Sequence, residues 1–244
     1  MNSQNEASVV LVHGAFADGS SWEAVIAELQ RADIPVTAPA NPLRGVEHDG
    51  AYIASVAGEI DGPVILVGHS YGGVVITQAA DRASNVVGLV YVAAFALDAG
   101  ERPLDVITRF PEAAIGSALR PATRPGMGGE PQVELSIEPA QFPNVFGADL
   151  PADRTSVGAV SQRPVVASVF EEVSPAAAWK RLPSWYVVSG EDHAIHPDAQ
   201  RFMARRAEAT TIETDGSHSV ALSRPEAVVD AIRAAVAVVV PQAV

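Results

Sequence analysis

The run Val64-Ile65-Leu66-Val67-Gly68-His69-Ser70-Tyr71-Gly72-Gly73-Val74-Val75 constrains the fold of this chain more than any other stretch. Its first four residues, apolar and mostly β-branched after Gly62-Pro63, predict a buried strand. Val74, Val75, Thr77, Gln78, Ala79 and Ala80 predict a helix. Between them, Gly68-His69-Ser70-Tyr71-Gly72 has the G-x-S-x-G spacing of a nucleophile elbow. A serine on so sharp a strand-to-helix turn takes a strained backbone conformation, and side chains at the flanking positions would strike the neighbouring strand and helix. Glycine removes both collisions. The Ser70 hydroxyl is then expected to stand clear of the sheet. The Tyr71 N–H should face the same space from a helix N-terminus, where partial positive charge favours an oxyanion.

The rest of the chain repeats the strand-then-helix alternation. Val9-Val10-Leu11-Val12 predicts a strand running into His13–Gly19, and Ser20-Ser21-Trp22 opens a helix carrying Val25, Ile26 and Leu29. Ile34–Ala38 predicts a strand, 51–60 a helix, and Val86–Val92 another buried strand. Ser184–Ser189 and Thr210–Glu213 predict two more strands, each followed by a helix, over 197–206 and 225–236. Unbroken apolar strands alternating with helices imply an α/β fold, a mostly parallel sheet covered on both faces. Residues 98–178 break the pattern. They are rich in Pro, Ala and Gly, with helical hints near 105–110 and 165–173 and no sheet character. The expected organisation is a core of residues 1–97 and 179–244 with 98–178 inserted as a cap over the site.

At 244 residues the chain fits one domain with a sizeable core. A net charge of −13 argues against nucleic-acid and anionic-membrane partners, and no run reaches the ~18 apolar residues of a membrane span. With no cysteine, disulfides, zinc–thiolate sites and cysteine nucleophiles are excluded, and the single lysine, Lys180, is an unpromising Schiff-base candidate. A cytoplasmic protein without cofactor is the expectation. The oligomeric state stays open, a homodimer included.

A serine hydroxyl needs a base to take its proton and an acid to orient the base. On an elbow fold these follow in the order serine, acid, histidine, at the carboxyl ends of strands. Asp192 lies just past one predicted strand and His218 just past the next, so Ser70, Asp192 and His218 are the expected triad. Glu191, adjacent to Asp192, and Asp98, after the preceding strand, are the alternative acids; Asp215 reads as a turn residue. Among other histidines, His69 belongs to the elbow, His13 to the loop after the first strand, and His48 to a polar loop. His193 and His196 flank the acid, but the spacing lacks a third ligand, so no metal is expected. The second oxyanion donor should come from His13-Gly14-Ala15-Phe16, with the Ala15 N–H the first choice and Phe16 the second. Phe16, Phe95, Phe142 and Phe146, with Phe110, Met127 and Phe170, are candidates for an apolar substrate pocket.

His13-Gly14-Ala15 with Ser21-Trp22, Gly68–Gly73, Val92-Ala93-Ala94-Phe95 and Gly216-Ser217-His218 together resemble the α/β-hydrolase superfamily. More narrowly, they resemble its branch of plant methyl-ester esterases, hydroxynitrile lyases and bacterial relatives. The resemblance covers most of residues 9–97 and 180–235 and hardly touches the insert. It implies an α/β-hydrolase fold, a triad of Ser70, Asp192 and His218, oxyanion amides at Ala15 and Tyr71, and a small ester-like substrate. In the lyases of that branch a lysine follows the histidine to handle cyanide. Here Ser219 stands in its place, and a neutral side chain cannot hold a departing anion the same way. Ester hydrolysis is therefore the leading expectation. Lactone, thioester or C–C bond cleavage, a lyase reaction, and a ligand sensor of hydrolase shape are the alternatives.

Overall fold

The computed structural model describes residues 7–126 and 128–239. Six strands form the main sheet: β1 (Ser8–Val12), β2 (Val36–Thr37), β3 (Val64–His69), β4 (Val86–Val92), β8 (Ser184–Ser189) and β9 (Thr210–Thr214). Their order is β2-β1-β3-β4-β8-β9, and every described pairing among them is parallel. Parallel neighbours need crossovers, and the helices supply them: α1 (Glu23–Arg31), α2 (Val46–Gly58), α3 (Gly72–Arg82), α8 (Pro197–Arg206) and α10 (Pro225–Val239), the last preceded by the short α9 (Val220–Ser223).

Alternation along each strand divides the core into two layers. Val9 and Leu11 of β1, Ile65 and Val67 of β3, and Trp185 and Val187 of β8 point to one face, where Trp22, Leu29, Val228 and Ile232 cover them. Val10, Val12, Val64, Leu66, Tyr91 and Tyr186 point to the other, under Ile53, Val74, Val75 and Met203. Burial on both faces explains why these strands read as continuous apolar runs. Helix α2 starts five residues before its expected onset. The cause lies far away in sequence: the Glu172 carboxylate accepts the Val46 N–H at 2.7 Å and caps the helix from the insert.

Residues 98–178 contribute nothing to the parallel sheet, but they are more regular than their composition suggests. Between α4 (Pro103–Ile107) with α5 (Ile115–Ala118) and α6 (Phe142–Phe146) with α7 (Ala152–Ser161) lies an antiparallel hairpin of β5 (Leu119–Pro125) and β6 (Pro131–Ile137). The short β7 (Val165–Val166) pairs with β6. The expectation of no sheet character is therefore corrected, as is that of a helix over 165–173, where β7 leads into one 3₁₀ turn (Ala167–Phe170). The prolines that broke the periodicity, Pro121 and Pro125, sit on an edge strand, where a missing donor leaves no ladder bond unmade.

No helix among the described residues is long and apolar enough to cross a membrane.

Candidate active site

The carboxyl ends of β3, β8 and β9 open on one cavity. Ser70 follows β3 with a φ of 55°, a left-handed conformation that a β-substituted residue adopts only when its surroundings impose it. The elbow glycines are required by close approach: a Cβ on Gly68 would lie 2.5 Å from the Gly72 carbonyl oxygen, and one on Gly72 2.4 Å from that of Val12. Gly14 serves the same end from the other side, since a Cβ there would meet the Ser70 Cβ at 2.7 Å. Without these side chains the loop after β1 can lie directly against the elbow.

Asp192 and His218 meet. The His218 Nδ1–H donates to Asp192 Oδ2 at 2.7 Å, and both side chains are essentially inaccessible to solvent. The carboxylate is saturated: Oδ1 accepts the Ala194 and Ile195 N–H groups at 2.7 and 2.9 Å, and Oδ2 also accepts Gln200 Nε2 at 2.7 Å. Such a carboxylate fixes which imidazole nitrogen carries the proton and leaves Nε2 as the acceptor. Ser70 and His218 line one cavity of about 600 Å³, together with Ala15 and Tyr71.

Other candidates lie elsewhere. Asp98 pairs with Lys180 at the surface, Glu191 is exposed, and Asp215 pairs with Arg224. His193 Nδ1–H donates to the Asn144 carbonyl, while His196 caps α8 through Nδ1. His48 lies beside Asp49.

His13 and His69 are buried, neutral struts. The His69 Nε2–H donates to the His218 carbonyl at 2.8 Å, tying the elbow to the histidine loop. Burial, then the nearby His218, holds its pKa well below the ordinary histidine value. His13 Nε2 accepts the Asn41 N–H at 3.0 Å, Asn41 Nδ2 donates back to the His13 carbonyl at 2.9 Å, and the His13 Nδ1–H donates to the Gly14 carbonyl at 2.9 Å. Burial dominates and lowers the His13 pKa to about 4, with Arg163 adding to it against the Gly14 bond. An unfolded chain protonates this ring near pH 6.5. Between those values the unfolded state holds more protons, so stability falls as pH drops toward 4 and levels off below it. The unfolding free energy from urea titrations is expected to fall by about 2 kcal/mol between pH 7 and 5 from this group. His13→Gln should flatten the slope; an unchanged slope would refute the assignment.

The loop after β1 separates the two oxyanion candidates. The Phe16 N–H donates to the Arg163 carbonyl at 3.1 Å and is occupied. Among the described residues neither the Ala15 nor the Tyr71 N–H meets a protein acceptor, and both residues line the cavity. The Tyr71 ring points away from it: its hydroxyl donates to Asp49 Oδ2 at 2.9 Å, and burial, then Asp49, raises the phenol pKa well above its usual value.

Phe16 and Phe95 line the cavity, as do Phe110 and Phe170. Phe142 and Phe146 do not, which corrects that expectation. They line a second cavity of about 220 Å³, where α6 packs against α7 and the Phe146 ring meets that of Phe16. Phe146 instead sets its edge against the His218 ring, centroids 4.9 Å apart. Met127 lies outside the described residues.

Three polar residues around the site were missed from sequence: Asn41, Arg163 and Gln200. Only Gln200 left a trace, as an amide sharing the buried face of α8 with Met203 and Ala204.

Comparison with known proteins agrees with this architecture. The sequence pattern described as the alpha/beta hydrolase family matches residues 9–231. The chain belongs to the alpha/beta hydrolase family. A carbendazim hydrolyzing esterase of Nocardioides sp. (strain SG-4G) is 38% identical over 108 residues, 39% of this family member and 45% of that esterase. Methylesterase 7 of Arabidopsis thaliana is 27% identical over 258 residues, covering 93% of this chain and 95% of that one. Another Arabidopsis thaliana relative, 27% identical over 219 residues, extends further, and the chain spans 62% of its length. The crystal structure of polyneuridine aldehyde esterase superposes with a TM-score of 0.82 at 18% identity, covering 95% of this chain and 99% of that one. The likeness to the methylesterase branch read from the sequence therefore holds in sequence relatives, and that superposition supports the fold.

Proposed function

We propose that this hydrolase-family chain is a cofactor-independent serine hydrolase cleaving a small, largely apolar carboxylic ester. The observation that carries the reading is the convergence of Ser70, the Asp192-held His218 and two unengaged backbone N–H groups on one cavity. His218 Nε2 takes the Ser70 proton as Oγ attacks the ester carbonyl. The Ala15 and Tyr71 N–H groups hold the oxyanion, the second from the N-terminus of α3. Collapse breaks the ester C–O bond while the imidazolium protonates the departing alcohol. Water, deprotonated by the same imidazole, then releases the acid from the acyl-enzyme.

The composition of the cavity supports a neutral, apolar substrate. Residues 98–178, Leu104, Ile107, Phe110, Ile115, Leu119 and Phe170 among them, supply most of its apolar wall, which supports reading that insert as a cap. Glu112 and Glu171 line it as well, and no Lys or Arg does among the described residues, so an anionic substrate would meet repulsion. Ser219 argues against a lyase: it lines the second cavity and its hydroxyl donates to the Phe146 carbonyl at 2.8 Å. Short p-nitrophenyl esters should be turned over, and a fluorophosphonate probe should label Ser70. Absence of both across a panel of acyl chains would sink the proposal.

Arg163 belongs to this machinery as a positioning residue. Its carbonyl holds the Phe16 N–H, and its guanidinium donates to the Asn41 carbonyl at 3.0 Å and faces His13 Nε2 at 3.3 Å. The insert thus clamps the loop that presents the Ala15 amide. Arg163→Ala should lower kcat about ten- to a hundredfold with KM nearly unchanged, and Arg163→Lys should restore part of it. A rise in KM at constant kcat would refute this role.

A further inference from the structure

The two cavities meet at one side chain. Ser70 and His218 line the larger, about 600 Å³; His69, Phe146 and Ser219 line the smaller, about 220 Å³. Among the described residues Phe16 alone lines both. It is buried and held on two sides. Its N–H is bound by the Arg163 carbonyl at 3.1 Å in a left-handed conformation of φ 62°, and its ring meets Phe146 edge-on, centroids 6.3 Å apart. A ring fixed this way is a partition rather than a mobile gate.

The smaller cavity lies behind the His218 ring, whose own imidazole lines the larger one. Phe146 packs edge-on against the His218 ring, and Ser219 follows His218 in the chain. In ester cleavage the alcohol oxygen must lie beside the imidazole that protonates it. The alcohol is therefore the part of a substrate that approaches this wall, while the acyl chain has the larger cavity. At about 220 Å³ the smaller space falls below the ~300–1,000 Å³ of self-sufficient small-molecule sites, as an annex would.

We propose that Phe16 is a specificity-determining residue that limits the size of the leaving alcohol by closing the smaller cavity off from the substrate site. The inference rests on the serine-hydrolase reading. Its test is kcat/KM for the methyl and 2-naphthylmethyl esters of one acyl chain, measured on the unaltered protein and on Phe16→Ala and Phe16→Leu. Comparing ratios cancels both the intrinsic reactivity of each ester and any general damage to the neighbouring Ala15 amide. The ratio of bulky to methyl ester should rise at least about tenfold in Phe16→Ala and by a smaller factor in Phe16→Leu, a size effect of the usual order for an apolar pocket. Should Phe16→Ala not fold, a rise of at least about threefold in Phe16→Leu supports the inference. Ratios within twofold of the unaltered protein, in folded variants that still react with a fluorophosphonate, overturn it and leave the hydrolase reading intact. Failure of the unaltered protein to label or to cleave either ester overturns both.

Discussion

Ser70→Ala is expected to lower kcat for ester hydrolysis by about a millionfold and to abolish fluorophosphonate labelling, with the fold intact. The size follows from removing the nucleophile of a unit whose members act together, where losing one member forfeits nearly the whole covalent route. Stability should change little. Alanine at φ 55° bears the same left-handed strain as serine, and the elbow is fixed by backbone, with Ser70 N–H on the Val92 carbonyl and the Gly73 and Phe95 N–H groups on the Ser70 carbonyl. The measurement is steady-state turnover of a p-nitrophenyl ester beside a thermal melt. Residual activity within a hundredfold of the unaltered protein would remove Ser70 from the chemistry.

Asp192→Asn should cost about ten-thousandfold in kcat, for a reason written in its hydrogen bonds. The carboxylate accepts four donors, two backbone N–H groups at Oδ1 and the Gln200 and His218 side chains at Oδ2. An asparagine oxygen kept on the backbone pair turns an NH₂ toward two donors. Gln200 cannot flip to relieve this, because its Nε2 also donates to the Ile195 carbonyl at 2.8 Å and its Oε1 accepts the Ser189 N–H at 3.0 Å. His218 must then accept at Nδ1 and carry its proton on Nε2, which leaves it unable to take one from Ser70. Two facing donors in a buried site also cost about 1–3 kcal/mol of stability. The check is kcat together with the urea midpoint. A loss of less than tenfold in kcat would show that this carboxylate does not set the tautomer.

What could be read from the sequence was local or periodic. The Gly68–Gly72 spacing encodes a turn because steric exclusion acts between near neighbours, and the structure shows why in the 2.4–2.5 Å approaches that a Cβ on Gly68 or Gly72 would make. Strands buried on both faces announce themselves as unbroken apolar runs, which is why β1, β3, β4 and β8 fall close to their expected bounds. The order of Ser70, Asp192 and His218 along the chain makes them candidates together, since parallel strands deliver their carboxyl ends to one edge.

The tertiary structure decided everything that depends on which distant side chain meets which. Two adjacent amides, Ala15 as first choice and Phe16 as second, are both candidates in the sequence; the Arg163 carbonyl, about 150 residues on, occupies that of Phe16. Gln200 and Asn41 matter only through bonds to Asp192 and His13, which no pattern along the chain encodes. Phe142 and Phe146 were recognisable as apolar, but hydrophobicity is non-directional, so only packing assigned them to the smaller cavity. The hairpin in the insert stayed hidden for a related reason: an exposed edge strand buries too little to impose alternation, and its pairing is set by a partner strand rather than by its own residues.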